Sequence, residues 1–236
     1  MEQNTNPLKA FIIGSTGAVG RELVQELVKF PKWQEITLIV RRKLEEWDQF
    51  TEAEKQKLKI VLKEDLDCLD DLSQWDLKGY SSLFCCLGSR VKEGEERFMK
   101  VEYTYPMYAA KLASHFKIPH FSFVSGEMAS PTSWFLLMRA KGKTEESLRG
   151  FNFPHLSLIR PAAIVNLRND YRLGEVIVGK IPLIPKIECR DIAIAMRIEA
   201  ELQHSKPHDL KNIVFHNSDL HYLVKNQKYP EKLSDK

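Results

Sequence analysis

The residues best suited to chemistry in this chain sit at the ends of apolar runs. Gly14-Ser15-Thr16-Gly17-Ala18-Val19-Gly20 follows Phe11-Ile12-Ile13 and opens an amphipathic stretch from Arg21 to Lys29. A strand, a tight glycine turn and a helix in that order make a cradle for a diphosphate. Gly14 can turn without a Cβ penalty, Gly17 lets phosphate oxygens approach the backbone, and Gly20 lets the helix lie close on the strand. Unpaired N–H groups and the positive dipole end at the helix start favour an anion there. Arg41-Arg42-Lys43 ends the next apolar run, about 20 residues on, where such folds read a ribose. No acid follows until Glu45, so an acceptor for a 2′-hydroxyl is missing. Two guanidinium groups favour a 2′-phosphate, which argues for NADP (NADPH) over NAD. Asp65 can accept a hydrogen bond from an adenine amino group or act as the N-cap of the helix expected from Leu66; the two roles are compatible.

Cys85-Cys86-Leu87-Gly88 closes a further apolar run, at the edge where open parallel sheets hold ligands. Gly88 would let the chain turn beneath an adenosine, with Cys86 and Leu87 as its lining. Neighbouring cysteines in a strand point to opposite faces, so they make poor joint metal ligands and no metal is expected. Their role is that of small buried residues.

Positioning these groups requires alternating strands and helices. Strands are expected over Lys9–Ile13, Glu35–Val40, Lys59–Leu62, Ser82–Leu87, His120–Ser125 and Leu156–Arg160. Helices are expected over Gly17–Lys29, Leu66–Trp75, Glu95–Phe116 (broken or kinked at Pro106) and Pro131–Arg149, with Lys43–Gln56 as a surface loop. That alternation describes an α/β chain with a doubly wound parallel sheet of the Rossmann type. A helix over Arg190–Gln203 and a last strand over Asn212–His216 follow prolines 161, 182 and 185. The reading is a single domain, with its core over 8–165, a small irregular substrate-side lobe over 166–220 and a polar tail over 221–236. From Lys225 onward that tail is expected to fray into solvent. A length of 236 residues suits one sizeable core, and a net charge of +3 is too small to argue for nucleic acid. No apolar run is long enough to span a membrane and no secretory signal stands in Met1–Pro7. Four cysteines without paired spacing suit a reducing compartment, so cytosol is the default address.

These residues carry a family likeness. The chain resembles an atypical short-chain dehydrogenase/reductase, specifically the oxidoreductase-like HIV Tat-interactive protein family. The likeness rests on the glycine loop, on Ile36-Thr-Leu-Ile-Val-Arg41-Arg42-Lys43-Leu44 and on Phe84-Cys85-Cys86-Leu87-Gly88-Ser89. His120-Phe121, Ser125, Lys141-Gly142-Lys143 and Arg160-Pro161 fall in register with it. The resemblance implies an NADPH-binding protein of cytosol and nucleus, with partners in transcription, nuclear import and cell death. It also implies that Ser125 holds a substrate oxygen, that Lys141 binds the nicotinamide ribose, and that the backbone of Arg160, Pro161 and Ala162 meets the carboxamide. The family's tyrosine, four residues before the lysine, is replaced here by Leu137, and no tyrosine lies between Ser125 and Lys141. Loss of a general acid lowers a rate by about 10²–10⁴. Arg139 can polarise an oxygen but not give up a proton, and His120 lies at the far end of its strand. The expected function is therefore a redox-sensing, regulatory or scaffold protein with an incomplete Ser-Tyr-Lys site. A carbonyl oxidoreductase working through Ser125 and Lys141, and a nucleotide-stiffened subunit of a larger complex, are the alternatives.

Overall fold

A computed structural model of the chain describes residues 7–89, 94–165 and 185–233. Strands β1 (Leu8–Ile13), β2 (Trp33–Val40), β3 (Leu58–Leu62), β4 (Ser82–Cys85), β5 (His120–Val124), β6 (His155–Arg160) and β9 (Asn212–His216) form one sheet in the order β3-β2-β1-β4-β5-β6-β9. Every adjacent pair is parallel. A separate parallel pair joins β7 (Ala163–Val165) to β8 (Lys186–Glu188). The chain runs outward from β1 in one direction, then returns to β4 and runs the other way. That reversal leaves a crevice beyond the carboxyl ends of β1 and β4, which is where such sheets bind ligands.

Alternate residues of each strand feed two cores, as the two-residue period requires. Ala10 and Ile12 join Phe84, Trp33 and Phe215 on one face, beneath helices α1 (Ala18–Lys29), α6 (Cys189–Ser205) and α7 (Asn217–Asn226). Phe11 and Ile13 join Leu83, Phe121 and Leu158 on the other, beneath α4 (Tyr105–His115) and α5 (Leu136–Arg149). Burial on both faces explains why the strands read as nearly continuous apolar runs. Arg197 of α6 pairs with Glu26 of α1 at 2.9 Å and lies over the Phe30 ring at 3.7 Å.

Several expectations need correction. The charged segment Lys43–Gln56 holds a 3₁₀ turn (Glu45–Gln49) and the short helix α2 (Glu52–Gln56), started by a Thr51/Glu54 capping box. Leu66–Trp75 is not one helix but two 3₁₀ turns, Asp67–Leu69 and Leu72–Gln74, since the side chains of Asp65 and Asp71 bond the backbone two residues on. The long helix is α3 (Glu95–Met99), a π turn (Lys100–Thr104) and then α4. Pro106 would clash with the Glu102 carbonyl in a regular helix. The wide turn moves that carbonyl aside, and Thr144 Oγ1 donates to it at 2.7 Å. Helix α5 begins at Leu136, not Pro131, because the preceding segment folds back over Gly142. A Cβ there would lie 2.2 Å from the carbonyl carbon of Ser130.

At the C-terminal end, α6 and β9 belong to the main layers rather than to an irregular lobe. Residues 166–184 of the expected lobe lie outside the described residues. The start of the expected tail is helix α7, with Leu220 and Leu223 fully buried, and Tyr229 stacks on Phe215.

Candidate functional site

The glycine loop, expected to cradle a diphosphate, is a tight turn packed against its neighbours. Gly14 has φ +79°, and Gly17 N–H closes the turn onto Gly14 O at 3.0 Å. A Cβ on Gly14 would fall 2.6 Å from the Cys86 carbonyl carbon, and one on Gly20 would fall 2.2 Å from Gly14 O. The loop is thus clamped between the end of β4 and the first turn of α1, with no room for a side chain at Gly14 or Gly20. Ser15 is fully buried, and its Oγ has no hydrogen-bond partner in the protein.

Beyond the loop opens a cleft of about 510 Å³. It brings together Gly14, Thr16, Gly17, Arg41, Asp65, Cys86, Leu87 and Gly88 from the residues singled out in the sequence. Arg42 is exposed and outside the lining, and Ser15, Ala18, Val19 and Gly20 form the supporting layer behind the turn. Asp65 lines the cleft and also caps its own turn, with Oδ1 accepting from Asp67 N–H at 2.9 Å. Sequence reasoning missed Lys63, Arg97 and Lys100, which add three cations to Arg41, and Tyr105, whose ring lies 5.5 Å from the Lys100 ammonium. Lys100 pairs with Asp67 at 2.6 Å, which raises its pKa. These residues have no local motif; only the topology brings the ends of β3 and the π turn to the end of β2. The Cys85 thiol is pushed up to about 12 and that of Cys86 further up, in both cases by burial.

The groups expected to face a nicotinamide are arranged differently. Lys141 is almost fully buried, donates to Val124 O at 2.8 Å and Leu87 O at 3.1 Å, and ion-pairs with Glu102 at 3.0 Å. The Phe123 ring lies 4.7 Å from its ammonium. Glu102 is itself buried and accepts the Ser89 N–H at 2.6 Å through Oε1; its Oε2 makes no aligned hydrogen bond, so the contact to Lys141 is an ion pair alone. Arg160 is held bidentately by Glu145, at 2.9 and 2.5 Å, which raises its pKa. Pro161 O accepts from Glu127 N–H at 3.0 Å, and Ala162 N–H donates to Asn217 Oδ1 at 3.0 Å. The backbone expected to meet a carboxamide is thus engaged within the protein. Ser125 is buried with an unpartnered Oγ, and Leu137 is half-buried near the start of α5.

At the opposite, amino edge of the sheet His120 is fully buried and satisfied. Its Nδ1 meets Ser82 Oγ at 2.9 Å, and its Nε2 meets Ser157 Oγ at 3.1 Å and Glu199 Oε2 at 3.0 Å. His204 Nε2 lies 3.3 Å from the same Ser82 hydroxyl and lines a cavity of about 240 Å³ at that edge.

No protein-family model matches the chain. It is 31% identical over 167 residues to protein HTATIP2 of Rattus norvegicus, a match covering 70% of this chain and 66% of the rat protein. Against "Protein FMP52-2, mitochondrial" of Scheffersomyces stipitis it is 29% identical over 165 residues, 69% of each chain. The mitochondrial address in that name differs from the cytosolic and nuclear one implied by the resemblance. Among solved structures, MoeE5 in complex with UDP-glucose and NAD superposes with TM-score 0.66 at 13% identity, over 92% of this chain and 80% of that one. The oxidoreductase ylbE of Lactococcus lactis superposes with TM-score 0.63 at 21% identity, over 95% and 100%. At such identities the likeness is one of fold. Among the described residues no helix is long and apolar enough to cross a membrane.

Proposed function

The chain belongs to the atypical short-chain dehydrogenase/reductases of the HTATIP2 type, and from that premise we propose that it binds NADPH as a regulatory or scaffold protein rather than as a competent reductase. One observation carries the reading: the cleft joins the clamped glycine turn to Arg41, Lys63 and Lys100. The turn suits a diphosphate, the orphaned Ser15 hydroxyl adds a donor behind it, and the basic lining, with Arg97 as a fourth cation, suits a 2′-phosphate. When bound, the nucleotide would supply hydride chemistry. What this chain's own residues supply is binding, because Leu137 cannot donate a proton. By family resemblance its partners would be proteins of transcription or nuclear import, met in the cytosol or nucleus.

Calorimetry tests the cofactor choice. Arg41→Ala with Arg42→Ala should weaken NADPH by roughly 10–100-fold, the loss of one or two charge-assisted bonds, and NADH much less. Equal losses would remove the 2′-phosphate reading. The unpartnered Ser125 hydroxyl favours a second reading, a carbonyl oxidoreductase in which it orients the substrate oxygen. NADPH oxidation with any aldehyde, ketone or quinone, abolished by Ser125→Ala, would establish that reading over the first.

A further inference from the structure

The described lining of the cleft lies on one side of the sheet. Its residues come from the glycine turn, from the carboxyl ends of β2, β3 and β4, and from the helix that follows β4. Among the described residues, none comes from β5, β6 or the segments after them. On that second side Lys141 and the turn over 160–162, the groups expected to hold a ribose diol and a carboxamide, already have protein partners, and of the described groups expected there only the Ser125 hydroxyl is unpartnered. An ammonium has three N–H donors, and around Lys141 stand two carbonyls and a buried carboxylate. Turning this lysine toward a ligand would strip Glu102 of its counter-charge inside the protein, an unfavourable exchange. The Arg160 guanidinium, the Pro161 carbonyl and the Ala162 N–H each have a protein partner as well.

We propose that the site recognises the adenosine-diphosphate half of its ligand and not the nicotinamide: the ligand class is a 2′-phosphorylated adenosine nucleotide with a diphosphate arm. This rests on the NADPH-binding reading and narrows it. The protein then registers how much of the nucleotide is present and not its oxidation state, so the redox-sensing role is set aside in favour of a nucleotide-level one.

Titration calorimetry of the full chain with four probes tests this: NADPH, NADP⁺, 2′-phospho-ADP-ribose and ADP-ribose. The first three should bind within about tenfold of one another, because they share the recognised half. ADP-ribose, without the 2′-phosphate, should bind more weakly. If either pyridine nucleotide binds more than tenfold tighter than 2′-phospho-ADP-ribose, the nicotinamide is read and the inference is overturned while the NADPH reading stands. If ADP-ribose equals its phosphorylated form, the 2′-phosphate part of the ligand class is overturned. Binding by none of the four overturns the parent reading and this one with it.

Discussion

Lys141 offers the sharpest test of whether this site grips a nicotinamide. The family resemblance casts it as the group that grips a nicotinamide ribose, whereas its contacts make it a staple. It ties the ends of β4 and β5, through Leu87 and Val124, to the π turn at Glu102. Lys141→Met keeps the stem and removes the charge, leaving Glu102 in a site where both side chains are less than a tenth exposed. Removing one member of a buried ion pair costs about 3–5 kcal/mol, because the other charge is left uncompensated. For a chain of this size that is roughly 6–20 °C in Tm. Methionine also loses two hydrogen bonds, which places the expectation in the upper half of the range. Urea denaturation followed by tryptophan fluorescence gives the free energy, and calorimetry with NADPH gives the affinity. A second variant, Lys141→Met with Glu102→Gln, removes both charges and should recover at least half of the lost stability. NADPH affinity should stay within about threefold in the double variant. The reasoning fails if Lys141→Met unfolds within 1 kcal/mol of the parent chain while NADPH binding drops tenfold or more. That pair of results would make the lysine a cofactor anchor after all.

Two further outcomes follow from geometry described above. Gly20→Ala puts a Cβ against the Gly14 carbonyl, so it should destabilise the chain by about 1–3 kcal/mol and weaken NADPH by displacing the turn; an unchanged melting curve would refute the close packing of turn on helix. His204 is held neutral by burial, its pKa lowered to about 4 from the usual 6.5. A histidine whose folded pKa is depressed contributes stability that is present above the unfolded value and lost as pH falls toward the folded one. Urea midpoints should therefore decline between pH 6.5 and 4, with His155, also lowered by burial, adding to the slope. His204→Gln should flatten that decline, and an identical slope in the variant would assign it elsewhere.

The sequence exposes the diphosphate half of the site far better than the rest. The glycine spacing, the basic end of β2 and the Cys-Cys-Leu-Gly strand end are each local, and each lands on the cleft or directly behind it. Lys63 and Lys100 could not be read, because a lysine after a strand or inside a helix carries no sign of what the crossovers will bring opposite. The internal pairs at the other half were equally silent. Nothing in the order of residues says that Glu145, four residues past Lys141, will take both arms of Arg160. The same limit explains the C-terminal correction: prolines 182 and 185 suggested irregular structure, yet β9 completes the sheet because β6 would otherwise present a bare edge. Local aspartates misled in a different way, since the side-chain bonds of Asp65 and Asp71 compete with a helix over 66–75 and win.

The adjacent thiols behind the glycine turn have a use of their own. At a pKa of about 12, Cys85 is only roughly one part in 10⁵ thiolate at neutral pH, and its side chain has no exposed surface. Cys86 is higher still, and its backbone is the surface on which Gly14 rests. An oxidant or alkylating reagent can reach the Cys85 sulfur only in moments when the end of β4 parts from its neighbours, whereas Cys86 lines the cleft. Cys85 can therefore serve as a chemical clock installed behind the cleft. Its ticking rate is the opening rate of the cradle, and any nucleotide that holds the cradle shut will slow it.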